Sequence, residues 1–479
     1  MDAVISHSQN SVAYEENARK EIALWVDRNM DCEIADITRL HGWRAMWRVV
    51  CTRPDGARKA ILVRSTRAWD AVPYSLEHDM QVNQILERNG VPVPHVYGMI
   101  EGLHAFVTDW AEGDRAPAMV TEVVESARQV SPERWQAALK YMDQLARIHA
   151  IPIEEFADTE AGNPQTSEEV ATGELERFYE MLVRQGMANA VTEFFRKWLR
   201  LNLPGGPVRK CFVLGDCGQF LNRGEEVSAI LDVEVGHIGH PYRDLACLPM
   251  RDIVEQMGDI PALFRRYAKA SGQPIDLYAV AYYLISMQAL TATFATASLA
   301  NIREGGNWVE GVMQATLWTR SGLESMAELT GAKLDSFADV PLPPSAISRY
   351  GDLAFDKLEN ETGSLPASAE FPAWQRDILA ELPRFLHNEA RYGRWVEAED
   401  IKDISAVIGV EAANMVEAEK ALTTHVLQAG PDQDAILIRL FHRRAMRMCR
   451  LLAGPEAAEG NLMFLSVRRI LTMDLIADD

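Results

Sequence analysis

The feature that most constrains this chain is a single change of period near Glu112. Before it, short apolar runs alternate in the manner of strands: "ADITRLHGW", "AMWRVVCTR" and "RKAILVRS". The second and third are joined by "PDG" at Pro54–Gly56, and Asp-Gly between such runs signals a hairpin, because both turn positions accept positive φ. One helical segment follows, "SLEHDMQVNQILERNG". Ser75 is placed to cap it, Leu76, Met80, Val82, Ile85 and Leu86 to face a core, and Gly90 to end it. Two more apolar runs in "VPVPHVYGMIEGLHAFVTDWAEG" read as a second hairpin. The order three strands, one helix, two strands predicts a five-stranded antiparallel sheet with one helix against it. After Glu112 the pattern is helical almost throughout, so the chain reads as α+β with its two kinds of structure segregated along the sequence.

The strand-like interruption lies at "CFVLGDCGQFLN" and "VSAILDVEVG". Two apolar runs each end on an acidic residue, with "NRGEE" as a turn between them. A hairpin, or strand-loop-strand, would present Asp216 and Asp232 side by side. Further on, "DSFADVPLPPSAIS" carries Pro341, Pro343 and Pro344 and reads as a linker to a last helical block. The expected units are therefore residues 18–112, 113–335 and 345–479.

Composition narrows the function classes. A formal charge of -21 opposes nonspecific binding to nucleic acid or anionic membrane, but leaves room for a local phosphate site. Six cysteines without a CxxC pair read as reduced thiols, and the N-terminus has neither a basic nor an apolar leader region, so the expected location is cytoplasmic. Leu277–Ala300 carries no charge and is long enough to span a bilayer, but Ser286, Gln288, Thr291, Thr293, Thr296 and Ser298 recur through it. It reads as a buried helix of a helical domain, with Asp276 as N-cap.

A site for phosphoryl transfer needs a carboxylate to orient a hydroxyl and take its proton, oxygen ligands for Mg²⁺, and a cation for the phosphates. "GDCGQFLN" followed by "LDVE" supplies the acidic part. Together with "GVPVPHVYG", "LARIHA" and "ILDVEVGHIGHPYRDLA", these motifs resemble the aminoglycoside phosphotransferase-like branch of the protein-kinase-like fold, over about residues 18–300. The resemblance implies a bilobal fold with an appended helical domain, and ATP- and Mg²⁺-dependent phosphorylation of a hydroxyl on a small molecule. Its wording leans towards a catabolic alcohol or hydroxyacyl thioester rather than an antibiotic.

Residue by residue, the resemblance implies Asp216 as catalytic base and Asp232 as metal ligand, with Glu234 assisting the metal. Asp244 would support the loop as a helix N-cap, and His149 would be a hydrogen-bonded packing residue. Arg64 would hold phosphate, fixed by Asp79 or Glu77 on the helix. The phosphate-covering turn would be "HGWRA" with Gly42, and "VTDWAEG", including Asp109 and Trp110, the hinge that meets the adenine. The chain departs from the family pattern at Leu214, where a histidine is usual, and at Leu221, where a metal-binding amide is usual. Gln219 and Asn222 are the candidate replacements, with Gln219 favoured. His240 also stands where the family has an aspartate. These departures sustain a rival reading, a catalytically silent kinase-like protein that binds nucleotide or a partner. The block 345–479 is open to three roles: capping the cleft, forming a homodimer interface, or recruiting another protein. In it, Arg443, Arg447 and Arg450 form one helical stripe, expected to be a solvated or ion-paired face.

Overall fold

The computed structural model describes residues 11–42, 44–66, 72–115, 130–300, 306–458 and 460–475. The N-terminal sheet contains β1 (Glu33–Leu40), β2 (Met46–Thr52), β3 (Arg58–Ser65), β4 (Val96–Ile100) and β5 (Ala105–Asp109). It is antiparallel throughout, in the order β1-β2-β3-β5-β4. Helix α1 (Val12–Asn29) precedes it and α2 (Leu76–Arg88) lies between β3 and β4. Ser75 accepts the His78 amide as the N-cap of α2, as its sequence predicts.

The sheet carries two helices rather than one. Ala18, Ile22 and Val26 of α1 cluster with Trp47, Val63, Ala105 and Val107, whereas Leu76 of α2 clusters with Val96 and Phe106. Residues 105–107 of β5 thus alternate between the two faces, as the period-two pleat requires.

The larger lobe is built from α3 (Pro132–His149), α4 (Ser167–Arg184), α5 (Ala190–Leu201), α6 (Pro241–Arg251), α7 (Ile260–Ser271), α8 (Leu277–Ser298) and α9 (Trp308–Thr330). Helix α8 is the apolar segment of the sequence. It begins on Asp276, which accepts the amides of Tyr278 and Ala279, and 78% of its most apolar window is buried among the other helices. Four short strands are set into this lobe: β6 (Cys211–Val213), β7 (Phe220–Arg223), β8 (Glu226–Ile230) and β9 (His237–Gly239). The expected pairing is corrected here. The "NRGEE" turn joins β7 to β8, while the "CFV" strand pairs with His237–Gly239 and not with the "VSAIL" run.

Helices α10 (Arg349–Gly363), α11 (Glu370–Ile408), α12 (Met415–Gln428) and α13 (Asp434–Ala453) complete the chain. Ile404, Leu422, Leu437 and Phe441 belong to the same apolar core as the larger lobe, so the C-terminal helices share that core. Lys197 of α5 donates to the carbonyls of Val426 and Leu427 at 2.9 and 3.1 Å, closing the last turn of α12. The arginine stripe of α13 is internally paired: Arg443 with Asp335 (2.6 Å), Arg447 with Asp400 (2.5 Å), and Arg450 over the Phe337 ring (3.1 Å).

Candidate active site

The candidate catalytic loop runs from β6 to β7, and its conformation is imposed by one buried carboxylate. Asp244 is fully buried. Its Oδ2 accepts the Leu214 amide at 2.8 Å and its Oδ1 the Gly215 amide at 3.0 Å. His149 Nε2 lies 3.0 Å from the same Oδ2, and its Nδ1 2.7 Å from the Tyr267 hydroxyl, so His149 packs and orients as expected. The N-cap of α6 is His240, and Asp244 lies within the first turn, which corrects the capping role expected for it. Gly215 has φ 79°, and a Cβ there would stand 2.6 Å from the Val235 carbonyl oxygen; only glycine fits. The Gly218 amide donates to the Tyr141 hydroxyl at 2.8 Å, and Arg251 Nε donates to the Cys217 carbonyl at 2.8 Å.

This loop brings Asp216, Gln219 and Asp232 together. Gln219 Nε2 donates to Asp216 Oδ2 at 2.8 Å and to Asp232 Oδ2 at 2.6 Å, while its Oε1 accepts from Arg115 at 2.8 Å. Asp232 has φ 61°, a left-handed conformation uncommon for residues with a Cβ and typical of sites that hold a side chain for use. Asp216 sits at the base of the cleft with 37% of its side chain still accessible. Desolvation raises its pKa above the ordinary carboxylate range. The Arg251 guanidinium, 2.5 Å away, opposes that rise, and the neighbouring Asp232 adds to it.

Asn222 does not join them. It lies in β7, where its Oδ1 accepts from Arg134 at 3.0 Å and its Nδ2 donates to the Gly224 carbonyl at 2.9 Å. Of the two candidate amides, Gln219 is therefore the one placed between the carboxylates. Glu234, in the lining of the same cleft, is buried and ion-paired with Arg44 and, at 3.5 Å, with Arg64.

On the small-lobe side, Arg64 of β3 lies 3.2 Å from Asp79 of α2, and Arg44 lies 3.4 Å from the same carboxylate. Two arginines and two carboxylates thus form a compact, charge-balanced buried cluster, further fixed by Asn83, which donates to Asp79 Oδ1 at 3.0 Å. Glu77, the longer of the two candidate partners, faces His104 at 3.2 Å and not Arg64. Gly42, with φ 150°, stands at the rim beside Met46, and Trp43 of the same turn lies outside the described residues. At the hinge, Tyr97 and Lys59 engage the Asp109 carboxylate at 2.7 and 3.1 Å. The Trp110 amide donates to Ala60 at 3.2 Å and its ring lies under Arg48, so Trp110 contributes a side chain to the cleft and not a free amide.

Sequence reasoning missed Arg251, Arg44 and Arg115. Arg44 stands within the quoted "HGWRA" turn, the one local signal available. Nothing local marks the other two, whose partners are distant along the chain.

These residues line one cleft of about 2260 Å³ between the sheet and the helical lobe. Its mouth is reached by α11, where Phe371 and Trp374 line the cleft. Arg39 stacks between Trp47 (4.5 Å) and Phe371 (5.1 Å), and His41 stacks on Trp374 (5.9 Å). Among the described residues no three His, Cys, Asp or Glu side chains converge as a metal cage. A Mg²⁺ ion at Asp232 would draw most of its oxygens from phosphates and water, which is how this ion is ordinarily held.

The phosphotransferase enzyme family model matches residues 38–281, and the chain belongs to that family. Among curated proteins nothing matches. Solved structures similar to the chain include a putative aminoglycoside phosphotransferase from Ralstonia eutropha (15% identity, 64% of this chain and 97% of that one, TM-score 0.49). Another is macrolide 2'-phosphotransferase type I (18% identity, 61% and 94%, TM-score 0.45). A third is a thermostable mutant of aminoglycoside phosphotransferase APH(4)-Ia in complex with ADP and hygromycin B (15% identity, 64% and 98%, TM-score 0.45).

Proposed function

We propose that this phosphotransferase transfers the terminal phosphoryl group of ATP, with Mg²⁺, to a hydroxyl group of a small molecule. The observation that carries the reading is the double hydrogen bond of Gln219, which holds Asp216 and Asp232 against one amide at the base of the cleft. Two carboxylates so close repel each other, and a cation relieves that repulsion. Asp232 would hold the metal, whose part is to neutralise charge on the phosphates, and Gln219 would join it by turning its amide so that Oε1 replaces Nε2 on the side of the carboxylates.

Asp216 would accept the proton of the acceptor hydroxyl as its oxygen forms the new bond to phosphorus and the bond to the leaving diphosphate breaks. A positioned base of this kind contributes about 10²- to 10⁴-fold. Its raised pKa makes it a better proton acceptor than an ordinary carboxylate. Arg64, with Arg44 beside it, would place positive charge over the phosphates, and the Asp79 and Glu234 carboxylates fix both guanidinium groups.

On the side of the helical lobe the cleft lining includes the apolar residues Met250, Met287, Leu290, Phe294 and Trp318 beside polar ones such as Thr291 and Gln314. This largely apolar lining suits a catabolic alcohol or a hydroxyacyl thioester better than a polycationic antibiotic. Of the roles open to the C-terminal helices, capping the cleft is the one supported, by Phe371 and Trp374 at its mouth.

Calorimetric titration of ATP, with and without Mg²⁺, tests the site. The wild type and Asp216→Asn should both show Mg²⁺-dependent binding, and Asp232→Asn should lose the dependence. Metal-independent binding by all three would remove the assignment.

A further inference from the structure

Four arginines are buried among the described residues: Arg44, Arg243, Arg320 and Arg447. Three are neutralised. Arg44 pairs with Asp79 and Glu234, Arg320 with Glu324, and Arg447 with Asp400 and Asp403.

Arg243 is the exception. It is 2% exposed, yet no carboxylate of the described residues comes within 4.0 Å of it. Its side chain makes one long hydrogen bond, from Nη1 to the neutral Ser286 hydroxyl at 3.4 Å, and its Nε has no partner. The Glu174 carboxylate, which lines the same cleft, accepts from the Tyr74 hydroxyl through Oε2 at 2.7 Å, with the same oxygen 4.0 Å from Arg177; its Oε1 has no hydrogen-bond partner, and it lies beyond ion-pair distance of Arg243. Arg243 is also the third residue of α6, at the positive end of the helix dipole, where a cation is disfavoured. A buried guanidinium left without an anion is costly to a fold unless something supplies the anion.

Its position says what that something is. Arg243 lines the same cleft as Asp216, together with Phe178, Met287 and Leu290. The Cys247 thiol lies 3.5 Å from the Arg243 carbonyl and 3.7 Å from that of Gly215, so the Arg243 turn packs directly beneath the catalytic loop.

We infer that Arg243 is the anchor for an oxyanion of the acceptor, so that the substrate is a hydroxylated compound with an apolar body and a carboxylate or phosphate group. The inference rests on the reading of Asp216 as the base that faces the acceptor hydroxyl. Arg243 determines specificity and does not take part in the transfer. Its charge favours an anionic acceptor over a neutral or cationic one of the same shape, although the protein as a whole carries a charge of -21.

The test is a thermal-shift series on the full chain, wild type and Arg243→Met. The probes are ω-hydroxycarboxylates of increasing chain length, each beside its matching diol, and inorganic phosphate. At least one hydroxycarboxylate should stabilise the wild type where its diol does not. Arg243→Met should weaken that binding about tenfold or more, the loss expected for a charge-assisted hydrogen bond. Ligand-free Arg243→Met should melt at or above the wild-type temperature, because an uncompensated buried charge has been removed; a structural ion-pair role would lower it. Phosphate stabilising the wild type alone, with no hydroxycarboxylate effect, assigns the oxyanion to a phosphorylated acceptor.

The inference is overturned if no anion distinguishes wild type from Arg243→Met, or if the variant loses stability without ligand. Its failure and that of the kinase reading separate cleanly. Anion preference without ATP turnover sinks only the role of Asp216, whereas turnover that ignores acceptor charge sinks only the role of Arg243.

Discussion

Arg251 Nη2 lies 2.5 Å from Asp216 Oδ1, and the same guanidinium reaches Glu255 at 3.1 Å and the Cys217 carbonyl at 2.8 Å. One side chain from the end of α6 therefore fixes both the carboxylate proposed as base and the backbone that carries it. Burial raises the pKa of Asp216, and Arg251 restrains the rise. A base works only when ionised, so activity should fall with decreasing pH through a limb that lies above the ordinary carboxylate range of about 4.

Arg251→Met should move that acid limb to higher pH, since the cation that favours the ionised form is gone. At neutral pH kcat should drop about 10- to 100-fold through misplacement of the carboxylate. The pH profile of kcat/KM in wild type and variant decides this: an unmoved limb would detach Arg251 from the base.

The buried cluster under the small lobe separates two acidic residues that the sequence leaves in competition. Asp79 serves two arginines, and Asp79→Ala should destabilise the protein by about 3 kcal/mol, because the two guanidinium groups are then left to share the single Glu234 carboxylate. Glu77→Gln should change stability by no more than about 0.5 kcal/mol, since Glu77 is on the surface beside His104. Urea unfolding of both variants checks the contrast.

Asp335 ties the segment after α9 to α13. Its burial alone would raise its pKa, but hydrogen bonds from Arg443 (2.6 Å) and Arg439 (2.7 Å) outweigh this and hold it at about 2. A depressed carboxylate pKa stabilises above the unfolded-chain value of about 3.9 and ceases to do so as pH falls towards 2. Asp335→Asn should cost about 1–2 kcal/mol at pH 7, after allowance for the exposure of Arg439, and nothing near pH 2. Unfolding midpoints at both pH values measure the difference.

The parts of the fold that local chemistry dictates were legible in the sequence. The Asp55–Gly56 turn, the Ser75 and Asp276 caps and the alternating runs around them each act over a few residues, and the five-stranded sheet follows from them. Helix α1 escaped because its buried side is only Ala18, Ile22 and Val26, in an otherwise polar segment. Strands β6, β7 and β9 are three or four residues long, too short for a period to show, which is why the pairing of Cys211–Val213 was misjudged.

The acidic half of the site was legible for a similar reason. Asp216, Gln219 and Asp232 sit within seventeen residues of one another and carry a recognisable order. Of the basic half, only Arg64 was, from its place in the third strand run. Arg251 acts on Asp216 across 35 positions and Arg115 on Gln219 across 104, and an arginine in a helix or loop reads as solvated until its partner is seen. Packing, not spacing, also divides Gln219 from Asn222 and Asp79 from Glu77.

The central claim is that Asp216 is the base of a phosphoryl transfer to a hydroxyl. The most direct measurement is detection by mass spectrometry of a phosphorylated product after incubation with Mg²⁺-ATP and a panel of hydroxylated compounds, for wild type and Asp216→Asn side by side. The account predicts product from the wild type with at least one acceptor, and a loss of about 10²-fold or more in the variant with nucleotide binding retained. Product formed equally well by Asp216→Asn, or no product from the wild type together with no Mg²⁺-dependent ATP binding, would contradict it.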